Sequence, residues 1–156
     1  MNEPIKFYRV TEKYGSFSNF SPHSLVLDGK TWPTSEHYFQ AQKFADALHS
    51  EAIRCEPSPM VAARMGRDRK KPLRPDWDVV KDSIMKKAVL AKFSQHQDLR
   101  ELLVGTDQAI LTEHTENDSY WGDGGDGSGK NRLGILLMEV REALRTQARG
   151  DRVDEE

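Results

Sequence analysis

Apolar residues recur at helical spacing along much of the chain. The clearest repeat follows the i, i+3, i+4, i+7, i+11 positions of one helix face: Leu133, Leu136, Leu137, Val140 and Leu144. A second repeat predicts a long helix from about Trp77 to Gln95. Capping signals predict two more helices, one from Thr34 or Ser35 to about Leu48 and one that starts at Ser58. The chain is therefore expected to be rich in helix.

Short apolar and β-branched runs predict a small sheet. Ile5–Val10 mixes β-branched and aromatic residues, and Ala109–Leu111 is a further short run. Leu25–Leu27 and Lys30–Trp32 flank Asp28-Gly29, a two-residue sequence that favours a hairpin turn. We expect an α+β fold, with a small antiparallel sheet, in one helix-rich domain over residues 1–148. An acidic C-terminal tail is expected at 149–156.

Composition excludes several classes of protein. The 156 residues include 23 Lys and Arg against 25 Asp and Glu, with 3 Trp, 4 Tyr and 6 Phe, which favours a folded chain over a disordered one. No apolar run approaches the roughly 20 residues of a membrane span, and the first residues lack a signal core. A cytoplasmic protein without membrane association is therefore expected. Cys55 is the single cysteine, and no Cys/His spacing indicates a metal site.

Charge is uneven along the chain. Residues 64–87 hold nine Lys and Arg and four Asp, whereas residues 113–126 hold five acidic residues and no Lys or Arg. These segments are either solvated faces that attract each other or walls of a site for a phosphorylated ligand, and charge alone favours the first. The formal net charge of −2 argues against a broadly basic nucleic-acid binder.

The glycine-rich segment at residues 117–131 nearly matches a phosphate-binding P-loop. Asn131 stands where a P-loop has Ser or Thr, and no parallel βαβ pattern surrounds the segment, so a P-loop is not expected. The loop is either solvated or brings its backbone close to a ligand, which glycine permits. Trp121 favours the second alternative, although a Trp that anchors the loop on the core stays open.

A polar face is predicted on the helix that follows Thr34. Glu36, Gln40 and Lys43 lie at i, i+4 and i+7. By periodicity alone this is the wet face of an amphipathic helix. Glu36 would need burial beside an aromatic ring or another acid to become a proton donor.

Several motif blocks together resemble the YbiA-like family, also called NADAR. They are Gly15–Phe20, Trp32–Phe44, Met65–Arg67, Trp77, Trp121–Gly124 and Gly129–Gly134. The resemblance covers about Ile5 to Leu144. It implies an N-glycosidase that hydrolyses ribosylamino-pyrimidine 5′-phosphate intermediates of riboflavin biosynthesis. Other family members remove ADP-ribose from guanine bases or bind ADP-ribose without catalysis, and both alternatives stay open.

The resemblance also implies catalytic residues. Glu36 and Asp123 would form a carboxyl pair, with a carboxylate near C1′ of the sugar and an acid near the leaving base. Lys43 raises a second hypothesis, in which its amine attacks C1′ and forms a Schiff base while Glu36 shuttles protons. His37 and His114 are expected to serve packing and hydrogen bonding instead.

The remaining candidates would bind substrate. Trp77 and Trp121 are expected to stack on the heterocycle, although Trp77 is also typical of a helix-start anchor. Phosphate donors are expected among Arg64, Arg67, Lys70 and Lys130, and the planar fork of arginine suits phosphate best. Further predicted contacts are Asn19, Phe20, Asn117 and Asn131. We expect a small-molecule ribosyl-phosphate or ADP-ribosyl substrate, nucleic acid only as a modified substrate, and no cofactor.

Overall fold

The computed structural model describes residues 3–155. Two compact units are present. The first unit combines the described residues up to Ser18 with those from Phe93 onward, and the second unit is Asn19–Lys92. In chain order the elements are β1 (Ile5–Phe7), a 3₁₀ turn (Gly15–Phe17), β2 (Leu25–Leu27), β3 (Lys30–Trp32), α1 (Ser35–Ala41), α2 (Ala47–Cys55), α3 (Pro59–Gly66), α4 (Trp77–Gln95), α5 (Gln97–Val104), β4 (Leu111–Glu113) and α6 (Arg132–Glu155).

The predicted hairpin is present in the second unit. β2 and β3 pair antiparallel, with Leu25 opposite Trp32. Asp28 and Gly29 both have positive φ, 55° and 77°. Two consecutive residues with positive φ are what a type I′ turn requires, and that turn matches the twist of the strands it joins. The Asp-Gly prediction is therefore confirmed.

The other pair of strands is parallel. In the first unit β1 lies beside β4, with Ile5 opposite Leu111 and Phe7 opposite Glu113. Both strands differ slightly from the prediction, since β1 ends at Phe7 and β4 begins at Leu111. A parallel pair needs a long connection between its strands, so no local turn sequence predicts the pairing. The α+β prediction is confirmed, but only the hairpin strands pair antiparallel, and this second pair is parallel.

Helix α1 is shorter than predicted. It ends at Ala41, whereas periodicity predicts a helix to about Leu48. Phe44 instead makes an isolated antiparallel bridge with Leu73, and Asp46 caps α2 by accepting from the N–H groups of Leu48 and His49. The extended predicted helix was wrong because a cap and a bridge formed with a distant segment interrupt it.

Each unit has its own core. In the second unit the buried cluster includes Trp32, Tyr38, Phe44 and Ile53. In the first unit the predicted face of α6 is buried, and α6 packs on α5 and β4. The helix runs on to Glu155, through the segment predicted as a tail. Among residues 3–155 we find no helix with both the length and the apolar character that crossing a membrane requires.

Candidate active site

Helix α1 carries a buried carboxylate near its start. Thr34 caps the helix by accepting from the N–H of His37 at 3.2 Å. Glu36 lies in the first turn with 8% of its surface exposed, and its Oε1 accepts from Nε2 of Gln40 at 2.7 Å. Burial and a side-chain donor distinguish this face from the wet face that periodicity alone indicates.

Lys43 lies just after α1 and faces aromatic rings. Its Nζ is 5.6 Å from the ring centroid of Phe39 and 6.0 Å from that of Trp77. The two rings contact each other, with centroids 5.1 Å apart. Nζ also donates to the carbonyl oxygen of Gly66 at 3.4 Å. The amine is thus partly removed from water and held by one weak hydrogen bond.

These surroundings change the protonation of the amine. Burial lowers the pKa of Lys43, and the Glu36 carboxylate opposes that effect. The positive charges of Arg67, Arg69 and Lys81 lower this pKa further. A lysine whose pKa is lowered has more neutral amine at a given pH, and the neutral amine is the nucleophilic form.

Asn19 and Trp77, both predicted to bind substrate, also hold the second unit together. Asn19 is buried, its Oδ1 accepts from Ser35 Oγ at 2.7 Å, and its backbone carbonyl accepts from the N–H of Glu36. Trp77 is the first residue of α4 and is buried against Phe39, so it anchors a helix start and lines the aromatic surface near Lys43.

The other candidates in the second unit are more exposed. Phe20 is half-buried, and Arg64 and Arg67 are exposed on α3 and at its C-terminal cap. One Nη of Arg64 lies 3.5 Å from the sulfur of Met60. Arg67, by contrast, acts electrostatically on Lys43. Of the two arginines, Arg67 is the one whose charge lowers the pKa of Lys43.

His37 has the packing role predicted for it. Its side chain is fully buried, and Nε2 lies 2.6 Å from the carbonyl oxygen of Glu56. A carbonyl only accepts, so Nε2 carries the proton and Nδ1 accepts from the hydroxyl of Thr34 at 2.7 Å. Burial lowers the pKa of His37, which keeps the ring neutral.

In the first unit Asp123 organises the glycine-rich loop. It is 4% exposed, and its Oδ1 accepts from the N–H groups of Thr115 and Gly125 at 3.1 and 2.8 Å. Oδ2 accepts from Nδ1 of His114 at 2.7 Å. Burial would raise the pKa of Asp123, but the hydrogen bonds outweigh it and the pKa is lowered. The group is therefore a carboxylate at neutral pH.

The loop also closes the start of α6. The N–H groups of residues 129–133 all donate to carbonyl oxygens of residues 119–123, at 2.8 to 3.0 Å. A Cβ on Gly129 would lie 2.5 Å from the carbonyl oxygen of Gly122, so this close approach requires glycine. A P-loop leaves such N–H groups for phosphate, and here they are occupied, in agreement with the prediction.

The loop's other candidates have contacts of their own. Both polar atoms of the Asn131 side chain bond the backbone, at the N–H of Glu113 and the carbonyl of Leu111. Asn117 donates to the hydroxyl of Tyr8, and Lys130 lies over the ring of Tyr120. Trp121 is half-buried, with its ring 4.9 Å from that of Tyr120.

The first unit also contains an open cavity of about 350 Å³. Its polar lining includes Lys6, Thr112, His114, Asp123, Asp126 and Asn131. The walls carry both signs of charge. In the part of the chain that the structure describes, no group of three or more His, Cys, Asp or Glu side chains is arranged to hold a metal ion.

The predicted residues thus fall into two groups. Glu36, Lys43 and Trp77 come together in the second unit, whereas Asp123 and Trp121 belong to the first. Sequence reasoning missed the roles of Phe39, Arg69 and Lys81; it expected a hydrogen-bonding role for His114 without naming Asp123 as the partner. Gln40 shares a face with Glu36, and that spacing was the available signal. No spacing rule links His114 to Asp123, because a loop joins them.

Comparison with known proteins gives the family. The model of the NADAR domain matches residues 6–145. The chain is 64% identical over 140 residues to N-glycosidase YbiA of Escherichia coli (strain K12), covering 90% of this chain and 88% of that protein. It matches the solved NMR structure of E. coli YbiA with a TM-score of 0.89 and 61% identity, over 94% of this chain and 88% of that one.

More distant relatives carry related names. N-glycosidase Npun_R5314 of Nostoc punctiforme is 47% identical over 144 residues, covering 90% of this chain and 92% of that protein. Riboflavin biosynthesis protein VVA0006 of Vibrio vulnificus is 42% identical over 149 residues, covering 95% of this chain and 40% of that protein. The prediction of an enzyme that hydrolyses N-glycosyl compounds is confirmed at the level of these relatives. The predicted resemblance is confirmed as well, and the chain belongs to the NADAR family.

Proposed function

We propose that the protein is an N-glycosidase that hydrolyses the C1′–N bond of ribosylamino-pyrimidine 5′-phosphates, intermediates of riboflavin biosynthesis. The names of the E. coli and Nostoc relatives support the reaction, and the name of the Vibrio relative supports the pathway. The observation that carries the proposal is Lys43, whose amine lies over two aromatic rings, has a pKa lowered by burial and responds to the charge of Glu36.

The proposed reaction begins with covalent attack. The neutral Nζ of Lys43 attacks C1′, and the electron pair of the C1′–N bond leaves with the pyrimidine amine, which takes up a proton. Nζ loses its protons as the C1′–O4′ bond opens, O4′ gains a proton, and C1′ and Nζ form an imine. Water then adds to C1′, and Nζ departs with the C1′–Nζ electron pair. One water is consumed, and no oxidant or reductant is needed.

Glu36 is proposed to carry these protons. Its negative charge raises the pKa of Lys43, against the effect of burial, so the carboxylate is electrostatically coupled to the amine that must lose protons in the first step. It is buried, which keeps bulk water from competing for the proton. General acid–base help of this kind contributes on the order of 10²–10⁴-fold in rate.

The substrate-binding roles follow from charge and aromatic surface. We assign the pyrimidine ring to the exposed edge of Trp77, which is 7% exposed and packs on the buried Phe39; stacking on an aromatic ring is worth about 1–3 kcal/mol per base. The 5′-phosphate is assigned to Arg67 and Arg69, the exposed cations that act on Lys43. Binding a phosphate dianion there would offset their repulsion of the ammonium form.

Asp123 is proposed as the second carboxylate of the reaction, as the family resemblance implies. Its hydrogen bonds hold the ionised form, so the resemblance assigns it the role of an ionised carboxylate and not of a proton donor. The acid role toward the leaving amine then falls to Glu36.

One incubation tests the substrate. The protein is mixed separately with ribosylamino-uracil 5′-phosphate, ADP-ribosylated guanosine and NAD, and the release of free base is followed by mass spectrometry. Release from the first compound alone is expected. Release from ADP-ribosylated guanosine alone would replace the riboflavin intermediate with an ADP-ribosyl substrate, and release from none would contradict the enzyme proposal.

Borohydride trapping tests the covalent step. Reduction during turnover converts the imine to a stable secondary amine, so a sugar-phosphate adduct is expected on Lys43. Lys43→Ala should give none, and Lys71→Ala, which removes a surface lysine paired with Asp46, should still form it. An active enzyme that yields no adduct would favour direct attack by water at C1′.

A further inference from the structure

The side chain of Gln40 contacts both Glu36 and Gly66. It is 5% exposed, and its Nε2 donates to Oε1 of Glu36 at 2.7 Å. Its own Oε1 is fully buried and has no hydrogen-bond partner in the described chain. Buried side-chain oxygens are normally bonded, so this one calls for a physical explanation.

Gly66 supplies the space for this amide. A Cβ on Gly66 would lie 1.8 Å from Oε1 of Gln40 and 2.6 Å from its Cδ, distances at which no methyl group fits. Gly66 ends α3 without a positive φ, so its backbone does not require glycine. Glycine is a poor helix former, and the room it leaves for Gln40 accounts for its presence.

The chemistry of the amide fixes its orientation. If the amide were reversed, its carbonyl oxygen would face the Glu36 carboxylate at 2.7 Å, and two acceptors would repel each other. The N–H₂ group therefore points at Glu36 and the oxygen lies against Gly66. The arrangement leaves one acceptor unbonded and holds one carboxylate oxygen firmly.

We infer that Gln40 is a positioning residue, seated on Gly66, that holds the Glu36 carboxylate in the orientation for proton transfer. This inference rests on the proposed function, because it assigns Glu36 the proton-transfer role described there. Misplacing a catalytic group by about 1 Å lowers the rate by up to about 100-fold. Displacing Gln40 should therefore lower kcat and leave KM nearly unchanged, since the substrate contacts stay in place.

The test is a double-mutant cycle between the two residues. Gly66→Ala adds only a methyl group, which must push the amide away from Glu36, and should lower kcat about 10- to 100-fold with KM within about twofold. Gln40→Ala should lower kcat by a similar factor. In the Gln40→Ala background the methyl group meets no amide and only Cβ of residue 40, at 3.0 Å, a contact that a shift of a few tenths of an ångström relieves, so Gly66→Ala should lower kcat by less than about twofold.

A matched variant and a second substitution keep the test decisive. Gln42→Ala truncates the same side chain at a half-buried position two residues on, and should leave kcat unchanged. Gln40→Met keeps the volume and removes the N–H donor, so it should lose kcat even if Gly66→Ala folds poorly. Melting temperatures of all variants separate catalytic from folding losses.

The outcomes separate this inference from the proposed function. An inactive wild-type protein would overturn the proposed function. An active wild type with a fully active Gln40→Met variant would overturn the positioning role and leave the function intact. Multiplicative losses in the double variant would also overturn it, because they would mean that Gly66 acts independently of Gln40.

Discussion

Glu36 and Asp123 are both buried carboxylates, but different groups hold them. Asp123 accepts from two backbone N–H groups and a histidine ring, all of them between β4 and α6. Glu36 accepts from the side chain of Gln40 and acts on the amine of Lys43, whose pKa burial lowers. The hydrogen bonds from the backbone hold Asp123 in place and stabilise the loop. The carboxylate of Glu36 has one side-chain donor, and this is the group to which we assign proton transfer.

This contrast predicts different consequences for substitutions in the two places. Changes around Glu36 and Lys43 should affect rate with little loss of stability. Changes at Asp123 should affect stability as well as rate, because the loop depends on it.

Loss of the amine should have the largest effect on rate. Lys43→Ala should lower kcat/KM by at least about 10³-fold, because no other group replaces a covalent nucleophile. Lys43→Arg should be equally inactive, since a guanidinium stays protonated. The measurement is release of the pyrimidine by mass spectrometry, with Lys71→Ala as the control. Residual activity within tenfold of wild type would contradict the nucleophile assignment.

Truncating the two carboxylates should separate stability from catalysis. Asp123→Ala leaves the N–H groups of Thr115 and Gly125 unbonded, and should lower the free energy of unfolding by roughly 2–4 kcal/mol. Glu36→Gln keeps the shape of the side chain. It should lower the free energy of unfolding by less than about 1 kcal/mol, while kcat falls about 10²–10⁴-fold. Urea unfolding measures the free energy of unfolding, and steady-state kinetics measure kcat. Equal losses of stability in the two variants would mean that the two carboxylates do not differ in their contribution to folding.

The stabilising effect of Asp123 should also depend on pH. Its folded pKa lies below its ordinary value, so its contribution is present above pH 4 or so and is lost as the pH falls through the lowered pKa. Wild type and Asp123→Ala should therefore converge in stability in acid. Urea midpoints measured between pH 3 and pH 7 check this.

Lys92 should make stability rise with pH in the alkaline range. It is 1% exposed on α4, and burial lowers its pKa to about 7. The unfolded state binds this proton up to a pKa near 10.5, so the folded state is penalised below pH 7 and the penalty fades as pH rises toward 10. The slope is at most about 1.4 kcal/mol per pH unit. Lys92→Met should flatten it, and an unchanged slope would contradict the assignment.

The smallest effect is expected from the arginines of α3 and its cap. Arg67→Ala removes a charge that lowers the pKa of Lys43, so the acid limb of the kcat profile should move a few tenths of a pH unit upward. KM for the phosphorylated substrate should rise several-fold, with no change for a dephosphorylated analogue. Arg64→Ala, one turn earlier, is the matched control. Equal shifts in both variants would indicate a general charge effect.

Local signals were enough to predict part of the fold and of the site. Asp28-Gly29 predicted its turn because the turn depends on those two residues alone. The spacing of Glu36 and Gln40 predicted their shared face. The burial of that face depends on distant segments, Gly66 and Trp77, which the helical repeat does not contain. The end of α1 likewise depends on Leu73, which pairs with Phe44.

The pairing of β1 with β4 has a consequence for how the protein is made. Ile5 must find Leu111, a closure over on the order of 100 residues, and such non-local contacts slow folding. During synthesis every residue of Asn19–Lys92 emerges while β1 still lacks its partner strand. The unit that contains Lys43 is thus complete in the nascent chain before the one that contains the glycine-rich loop.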